Sequence, residues 1–417
     1  MQKHSILKKI EITAPAGTWE SLMAAIHAGA GSVYFGVGIL NMRARSSINF
    51  TLPDLVKITR ICRKFNVRSY LTLNTIIYDH ELKLMKRIVD SAKKNEISAI
   101  IASDPSVIQY AKSLEMEVHM STQTNISNLD SVKYWSQYAD VMVTARELSL
   151  EQIASLTRAI KRQKIKGPSG NLVQIEVFAH GALCMAISGK CYLSLDHYNA
   201  SANRGACFQL CRRPYLVTDT DGEIELAVDN EYIMSPKDLC TIGFLDKIVK
   251  AGVSILKIEG RGRSPEYVKT VVTCYREAAK AVQTGTFTPE KVSDWIRRLK
   301  TVYNRGFWDG YYLGRKMGEW AGQHGSVATE YKEYVGKVTN YFKKLKVAEI
   351  KMESGYLSAG DRVYFQGPTT GVIELTVSEL RVELKRVGKT VKGDRCSIPV
   401  ELLLRRSDKV YKIITNR

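Results

Sequence analysis

Cysteine side chains give this sequence its clearest chemical signal. The chain of 417 residues has eight cysteines, and five of them fall between residues 184 and 240 with the spacing C-x6-C-x15-C-x3-C-x28-C. Four thiolates are the ligand set of a [4Fe–4S] cluster, and soft sulfur ligands also suit zinc. Structural zinc sites usually contain two C-x2-4-C pairs, and only Cys207 and Cys211 form one here. The spacing therefore favours an iron–sulfur cluster and leaves zinc as the alternative.

Charged residues at the ends of predicted strands form a second candidate site. The segment KIEGRGRSPEYV places Lys257, Glu259, Arg261 and Arg263 just before a predicted helix that begins at Pro265. A helix N-terminus and guanidinium groups both favour anions. More basic side chains follow two other predicted strands: Arg43, Arg45 and Arg146. Together these residues predict a site for a small, negatively charged ligand.

Acid–base catalysis is also possible at the strand ends. Glu176 and His180 lie near the end of one predicted strand and Glu259 at the end of another, so these three are the candidate catalytic residues. A further polar group follows a third strand: His119, Ser121 and Gln123. The sequence has no H-E-x-x-H, G-x-S-x-G or Walker motif, so it gives no support to hydrolysis or phosphoryl transfer.

The elements that must position these residues alternate along roughly the first 270 residues. Short apolar segments are separated by helical patterns such as Leu52–Phe65, and this alternation predicts a parallel sheet with helical crossovers. Eight repeats favour a TIM-type (β/α)8-like barrel, with an open doubly wound sheet as the alternative. The predicted strands are Ile10–Ala14, Ser32–Gly36, Arg68–Leu73, Ala99–Ala102, Glu117–Ser121, Val141–Thr144, Gln174–Phe178 and Ile255–Glu259.

The chain divides into three predicted parts. Residues 1–285 form an α/β barrel catalytic domain with a cysteine-rich insertion at 180–240, which in a barrel would lie at the C-terminal rim where active sites are built. Residues 286–330 form a helical linker, and 331–417 form a small β-barrel with short alternating strands. This last part has 18 Lys and Arg against 10 Asp and Glu, so it is a candidate RNA-binding domain.

The overall charge points to a polyanionic partner. The net charge is +19 and the isoelectric point about 9.4, which favours nucleic acid first and an anionic membrane surface second. No segment approaches the roughly 18 apolar residues of a membrane span. The N-terminal segment MQKHSILKKIEITAPAG lacks the apolar core of a signal peptide. We therefore expect a cytoplasmic protein that makes no membrane contact.

Several long motifs resemble those of peptidase family U32, the collagenase-like group. They are HGALCMAISGKC, NRGACFQLCRRPY, MSPKDLC and LKIEGRGRSPEYV, with the shorter APAG, YFG, TLNT, STQ and ARELS. The resemblance covers nearly the whole chain and implies a barrel-like catalytic domain with a [4Fe–4S] cluster. The family's cluster ligands would correspond to Cys184, Cys191, Cys207 and Cys240, with Cys211 as a spare thiol close to Cys207.

The resemblance also implies a function. Better-understood members resemble hydroxylation proteins, and the length and basic tail of this chain are most similar to those acting on tRNA. The expected reaction is formation of 5-hydroxyuridine at the wobble position in the tRNA anticodon loop, with prephenate, a small dicarboxylate, as co-substrate. The alternatives are a protease, a hydroxylase of ribosomal RNA cytidine, and an iron–sulfur factor for ubiquinone synthesis. An oligomer or a partner subunit is compatible with all of these.

Overall fold

Strands and helices alternate through the first part of the chain. The computed structural model describes residues 10–45, 48–215, 233–314 and 319–416. The first elements are β1 (Glu11–Pro15), α1 (Trp19–His27), β2 (Ser32–Gly36), α2 (Asp54–Lys64), β3 (Arg68–Leu73), α3 (Leu82–Lys94), β4 (Ala99–Ala102), α4 (Pro105–Ser113), β5 (Val118–Met120), α5 (Leu129–Ser136), β6 (Val141–Val143), α6 (Leu150–Gln163) and β7 (Gln174–Gly181). The next are α7 (Leu193–Tyr198), β8 (Asp238–Cys240), α8 (Leu245–Lys250), β9 (Ile255–Ile258), α9 (Pro265–Gln283), α10 (Pro289–Lys300) and β10 (Phe307–Trp308).

Eight of these strands close into a parallel barrel. Strands β1 to β7 pair in sequence, β7 also pairs with β9, and β9 pairs with β1. All eight coincide with the predicted strands, so the TIM-type prediction is confirmed and the open-sheet alternative is wrong. A closed ring places the carboxyl ends of all eight strands around one mouth.

The helices surround the barrel because each has one apolar face. In α2, Leu55, Ile58 and Cys62 recur at helical spacing and are all buried. Helix α6 begins at a capping box, in which the Ser149 side chain accepts from the amide of Gln152 and the Gln152 side chain accepts from the amide of Ser149. Local sequence and barrel packing therefore favour the same elements.

Two short strands extend the sheet beyond the barrel. Strand β8 pairs antiparallel with the end of β7, with His180 opposite Cys240, and β10 pairs parallel with β8. The predicted helical linker at 286–330 therefore contains α10 but also returns to the sheet through β10. Part of the predicted insertion, residues 216–232, lies outside the described residues.

A local irregularity changes the direction of side chains at the end of β7. Phe178 pairs with Lys257, yet His180 pairs with Ile258, so one extra residue, Ala179, is accommodated between them. Such a bulge reverses the alternation of side chains along a strand. Phe178 faces the barrel mouth, whereas His180 faces away from it.

A second domain follows, built from eight antiparallel strands. They are β11 (Glu330–Phe342), β12 (Val347–Met352), β13 (Arg362–Gly367), β14 (Gly371–Thr376), β15 (Arg381–Val382), β16 (Lys385–Arg386), β17 (Arg395–Pro399) and β18 (Lys409–Thr415). Their order in the sheet is β14-β13-β18-β11-β12-β17-β15-β16. The domain has its own apolar core, which includes Val338, Ile350 and Phe365.

This β-domain rests on two barrel helices. Gly371 of β14 lies so close to α1 that an added Cβ would come within 2.9 Å of the backbone nitrogen of Ala24. Glu266 in the first turn of α9 accepts from Lys332 Nζ at 2.8 Å and from Gln366 Nε2 at 2.8 Å. The two domains are thus joined by close packing at one helix and by hydrogen bonds at the other.

Candidate active site

A large cavity lies at the barrel mouth, beneath the cysteine-rich insertion. It encloses about 1230 Å³ of empty space, including the part open to solvent. The side chains that line it come from the ends of several barrel strands, from the loops that follow them, and from the insertion. The lining residues include Tyr34, Arg43, Thr72, Asn74, Ser121, Gln123, Arg146, Phe178, Cys184, Cys191, Cys207, Cys211, Arg212, Lys257, Glu259 and Arg261.

Two glycines allow the backbones around this cavity to approach closely. Gly181 has a φ of 105°, and a Cβ there would lie 2.4 Å from the carbonyl oxygen of Glu259. Gly205 has a φ of 75°, and a Cβ there would lie 2.1 Å from the carbonyl oxygen of Asn41. Larger side chains would displace the end of β7 or lift the insertion from the loop after β2.

One carboxylate of the cavity is held by an arginine. Arg43 donates to Glu259 Oε1 through Nη2 at 2.7 Å and through Nε at 3.2 Å, and the Tyr34 hydroxyl lies 3.4 Å from the other oxygen. Burial by itself would raise the pKa of Glu259, but the charges of Arg43 and Arg146 outweigh burial and hold this pKa at about 2. Glu259 is therefore a permanent anion at neutral pH, which suits ligand orientation better than proton transfer.

A second charge pair lies deeper in the barrel. Lys257 Nζ donates to Glu176 Oε1 at 3.1 Å, and both side chains are buried. The ammonium group also lies 4.7 Å from the centre of the Tyr34 ring. Lys257 lines the cavity and Glu176 supports it from below, so the structure brings together these two predicted residues.

Three other guanidinium groups of the cavity donate hydrogen bonds only to uncharged groups among the described residues. Arg261 donates to Asn41 Oδ1 at 2.9 Å and to Thr72 Oγ1 at 2.8 Å. The other two donate to backbone carbonyl oxygens, or to a serine hydroxyl, of the insertion and its neighbours: Arg146 and Arg212. Burial lowers the pKa of Arg261 to about 10. The cavity lining has five cationic side chains, which are Arg43, Arg146, Arg212, Lys257 and Arg261, against one carboxylate, Glu259, so the wall has a net positive charge.

Arg146 has capacity left for a further partner. Its guanidinium lies 4.0 Å from the centre of the Phe178 ring, which is close enough for a cation–π contact. Its Nη1 donates to the carbonyl oxygen of Ala182 at 3.3 Å, but its buried Nε has no hydrogen-bond partner. An unsatisfied buried donor is costly, so this position favours an acceptor supplied by a ligand.

Four thiols face the same cavity. Three of them are predicted cluster ligands, Cys184, Cys191 and Cys207, and the fourth is the predicted spare, Cys211. Burial raises the pKa of Cys211 to about 11, and the three other thiols add to this effect because they lie nearby. Within the described ranges, no three of these groups stand close enough together to hold a single metal ion.

The remaining predicted cluster ligand, Cys240, lies elsewhere. Its sulfur is 4.0 Å from the Tyr275 hydroxyl, behind β7, and it does not line the cavity. Burial raises the pKa of this thiol to about 11. The structure thus groups Cys211, rather than Cys240, with the other three thiols.

His180 is also behind β7. Its ring lies between Tyr267, Tyr275 and Phe307 with centroid separations of 5.5 to 6.0 Å, and Nδ1 is 3.4 Å from the Tyr275 hydroxyl. Burial, with a smaller contribution from Arg263, lowers its pKa to about 3. The structure therefore does not bring this predicted catalytic residue to the cavity.

Two predicted anion-binding arginines lie at the margin. The Arg263 guanidinium stacks 3.5 Å from the centre of the Tyr303 ring and borders a small side pocket next to Arg43 and Glu259. Arg45 is exposed in the loop after β2, where its amide donates to the carbonyl oxygen of Gly205. Neither side chain lines the main cavity.

The opposite wall has a group of neutral polar side chains. Asn74 Nδ2 donates to Ser121 Oγ at 3.1 Å and to Gln123 Oε1 at 3.3 Å, and Gln123 Nε2 reaches Ser188 Oγ at 3.3 Å. Asn74 was not among the predicted site residues, although the motif TLNT at the end of β3 marks its position. His119 lies deeper in the barrel, where its Nε2 is 2.8 Å from Glu117.

The chain is thus a (β/α)8 barrel of the kind that many enzymes use, and the cavity at its mouth is lined by cysteines and cationic side chains. Residues 17–322 match the model of peptidase family U32, and the chain belongs to this family. Within the described residues, no helix is long and apolar enough to cross a membrane.

Relatives with different names cover most of the chain. A Porphyromonas gingivalis protein named collagenase is 56% identical over 402 residues, which is 96% of this chain and 97% of that protein. The tRNA hydroxylation protein P1 of Bacillus subtilis is 32% identical over 377 residues, 88% of this chain and 85% of that protein. A 23S rRNA 5-hydroxycytidine synthase of Escherichia coli is 32% identical over 318 residues, 75% of this chain and 46% of that protein.

Proposed function

We propose that this protein is an iron–sulfur RNA hydroxylase that forms 5-hydroxyuridine at the wobble position of tRNA with prephenate as co-substrate. One observation carries the proposal: four thiols share one cavity at the barrel mouth with three guanidinium groups that are not hydrogen-bonded to any carboxylate of the described residues. The relatives named for hydroxylation of tRNA and of ribosomal RNA point to RNA as the substrate class.

The thiols would hold the cluster. Their soft sulfur atoms, and the positive charge around them, suit a [4Fe–4S] centre whose ligands are all thiolates. Cys184, Cys191 and Cys207, which all line the cavity, would provide three ligands. Cys211 already lines the cavity, whereas Cys240 would have to leave its buried position next to Tyr275. When bound, the cluster would supply electron-transfer chemistry for oxidation of the base.

The guanidinium groups would bind the dicarboxylate. Arg261 and Arg146 project from the barrel side of the cavity and Arg212 from the insertion, so an anion between them would be contacted from two sides. Such charge-assisted hydrogen bonds are shorter and stronger than neutral ones. Arg43 forms an ion pair with Glu259, so it has no net charge to offer the dicarboxylate. This pair would orient the ligand rather than neutralise its negative charge.

The neutral wall would hold the base. Asn74 and Gln123 present amide groups that can both donate and accept, as the edge of a pyrimidine requires. Their mutual hydrogen bonds hold them in place before the substrate arrives, which lowers the cost of binding. The basic β-domain would contact the phosphates of the same RNA.

The first experiment is a reconstitution under anaerobic conditions. The purified protein is assayed for iron and sulfide, and then incubated with tRNA lacking 5-hydroxyuridine, with and without prephenate. We expect about four irons and four sulfides per chain, and prephenate-dependent 5-hydroxyuridine detected by mass spectrometry of nucleosides. Protein with a full cluster that leaves the tRNA unmodified would contradict the proposed reaction.

The choice of the fourth ligand can be tested in the same preparation. We expect Cys211→Ala to lose iron and sulfide, and Cys240→Ala to retain both. The opposite result would mean that the insertion rearranges around Cys240 when the cluster is assembled.

Collagenolysis is the second candidate, because a relative 56% identical is named collagenase. A thiol and an imidazole come near each other at Cys240 and His180, which are paired across β7 and β8 and share Tyr275 as a neighbour. Burial raises the thiol pKa to about 11 and lowers the histidine pKa to about 3, so both are neutral. A cysteine peptidase needs the opposite shifts. Cleavage of denatured collagen by the purified protein, undiminished after removal of iron, would favour this candidate.

A further inference from the structure

Exposed aromatic side chains lie on segments of the chain that also contribute residues to the cavity lining. Large aromatic rings are usually buried, and a cluster of exposed ones marks a binding surface. Four such rings belong to the loop after β3 or to the insertion: Tyr192 is 79% exposed, Tyr78 50%, Tyr198 49% and Phe208 48%. We call these four residues the aromatic rim.

The rim is continuous with the cavity. Tyr192 lies between Cys191 and Leu193, which both line the cavity, while its own ring projects to solvent. Phe208 likewise lies between two lining residues, and its ring is 5.2 Å from that of Tyr198. Two of the four exposed rings therefore lie on segments whose neighbouring residues line the cavity.

Arginine side chains alternate with the rim aromatics. Arg204 lies 4.2 Å from the centre of the Tyr78 ring and is anchored by an ion pair with Glu81. Arg213 lies 5.9 Å from the centre of the Tyr198 ring and donates to the Tyr198 hydroxyl. These contacts hold two of the rings in fixed orientations.

The charge of the rim identifies its partner. The described part of the insertion, residues 180–215 and 233–240, has five basic residues and two acidic residues. Flat apolar surfaces interleaved with positive charge are the features that bind unpaired nucleotides, since every base has a face to stack and a phosphate to neutralise. A protein partner would need a surface with both acidic groups and apolar groups that pack against aromatic rings, and single-stranded RNA meets both requirements at every nucleotide.

We propose that the aromatic rim is a stacking platform for the unpaired bases that flank the target nucleotide. Stacked neighbours would hold the strand open at the mouth, so that the target base enters the cavity without a separate opening step. This inference rests on the proposed RNA substrate and adds the residues that receive the loop. It assigns loop recognition to the barrel, in addition to any phosphate contacts of the β-domain.

The test uses the anaerobically purified full-length protein and two RNAs. One is an anticodon stem–loop with 2-aminopurine next to the target position, and the other is a duplex of the same length without a loop. We expect Tyr192→Ala and Phe208→Ala each to weaken stem–loop binding by about 5-fold to about 150-fold, and to abolish the fluorescence change of the stacked 2-aminopurine. Duplex binding should stay the same.

Matched variants separate stacking from structural damage. Tyr192→Phe keeps the ring and should bind as the wild type does. Tyr134→Ala removes another exposed tyrosine, 57% accessible, from helix α5 on the outside of the barrel, and should have no effect. Tyr198→Ala tests the platform at a position not adjacent to a cysteine, and iron is measured in every variant.

The outcomes are distinct. Alanine variants that bind the stem–loop like the wild type, or that lose loop and duplex binding equally, overturn the stacking platform. Wild-type protein that binds neither RNA overturns the proposed RNA substrate and the platform with it. Loss restricted to the stem–loop, with restoration by Tyr192→Phe, supports the inference.

Discussion

Replacing Arg261 by methionine should separate ligand binding from stability. Burial lowers the pKa of Arg261 from 12.5 to about 10, which corresponds to ~3 kcal/mol against the charged form in the ligand-free protein. Methionine replaces the aliphatic stem of the arginine and removes the charged end, and with it this cost. Both acceptors keep another hydrogen bond, because Asn41 Oδ1 accepts from the amide of Arg43 and the Thr72 hydroxyl donates to Phe35. We expect the free energy of unfolding without ligand to fall by less than ~1 kcal/mol, or to rise.

Arg43→Met is the matched control, with the opposite expectation. This arginine makes the largest contribution to keeping Glu259 ionised, and the substitution removes it from a carboxylate whose side chain is only 12% exposed. Removing one member of a buried charge pair typically costs ~3–5 kcal/mol. Two arginine-to-methionine changes in one cavity should thus differ in unfolding free energy by several kcal/mol.

Denaturant unfolding under anaerobic conditions, followed by circular dichroism, measures both variants with and without prephenate. Each hydrogen bond from Arg261 to a carboxylate contributes ~1.5–3 kcal/mol, so its loss should weaken prephenate binding by ~10-fold to ~150-fold. The ligand should then no longer stabilise Arg261→Met at concentrations that stabilise the wild type. An Arg261→Met protein as unstable as Arg43→Met, or one still stabilised by prephenate, would refute the charge assignment.

Three further expectations concern the cluster, the barrel interior and RNA binding. Cys184→Ala should be purified without cluster absorbance or iron, whereas Cys62→Ala, which changes a buried thiol on α2, should keep both; iron retained in Cys184→Ala would exclude it as a ligand. Glu176→Gln should lower the unfolding free energy by ~3–5 kcal/mol because Lys257 is left buried without its partner. Adding Lys257→Met should recover much of this loss. Denaturant titration of the single and the double variant measures both unfolding free energies. The affinity for tRNA should fall steeply with salt, with a slope of log K against log salt of about −0.7 for each phosphate contacted in single-stranded regions, and a flat dependence would argue against RNA.

Much of the barrel could be predicted from sequence because its signals are local. All eight strands are short apolar segments between helices with a 3.6-residue pattern, and their number alone favours closure. The two strands β8 and β10 were not predicted, since segments of two or three residues are too short to show a periodicity. They form because the end of β7 still has unpaired backbone groups where β6 has ended.

The candidate site was predicted less completely, and His180 shows why. Glu176, Phe178 and His180 alternate along one strand, so a regular strand would place all three in the barrel. The bulge at Ala179 turns the last of them outward, and nothing in the local sequence requires a bulge there. Cys240 lies apart from the other four cysteines of the insertion for a related reason: its position depends on pairing with His180 across β7 and β8, a long-range contact that cysteine spacing does not reveal.

The docking of the β-domain has a consequence for the order in which the molecule is assembled. The barrel closes between β1 and β9, the first and last strands of the ring, and α1 and α9 cover this seam. Both helices are held by the β-domain, through Gly371 at α1 and through Glu266 at α9. About 240 residues separate β1 from β9 along the chain. Pairing of strands so far apart in sequence is slow, so this seam should form later than the pairings between consecutive strands. The β-domain follows both helices in the chain, so its contacts with α1 and α9 can form only after all eight barrel strands have been synthesised.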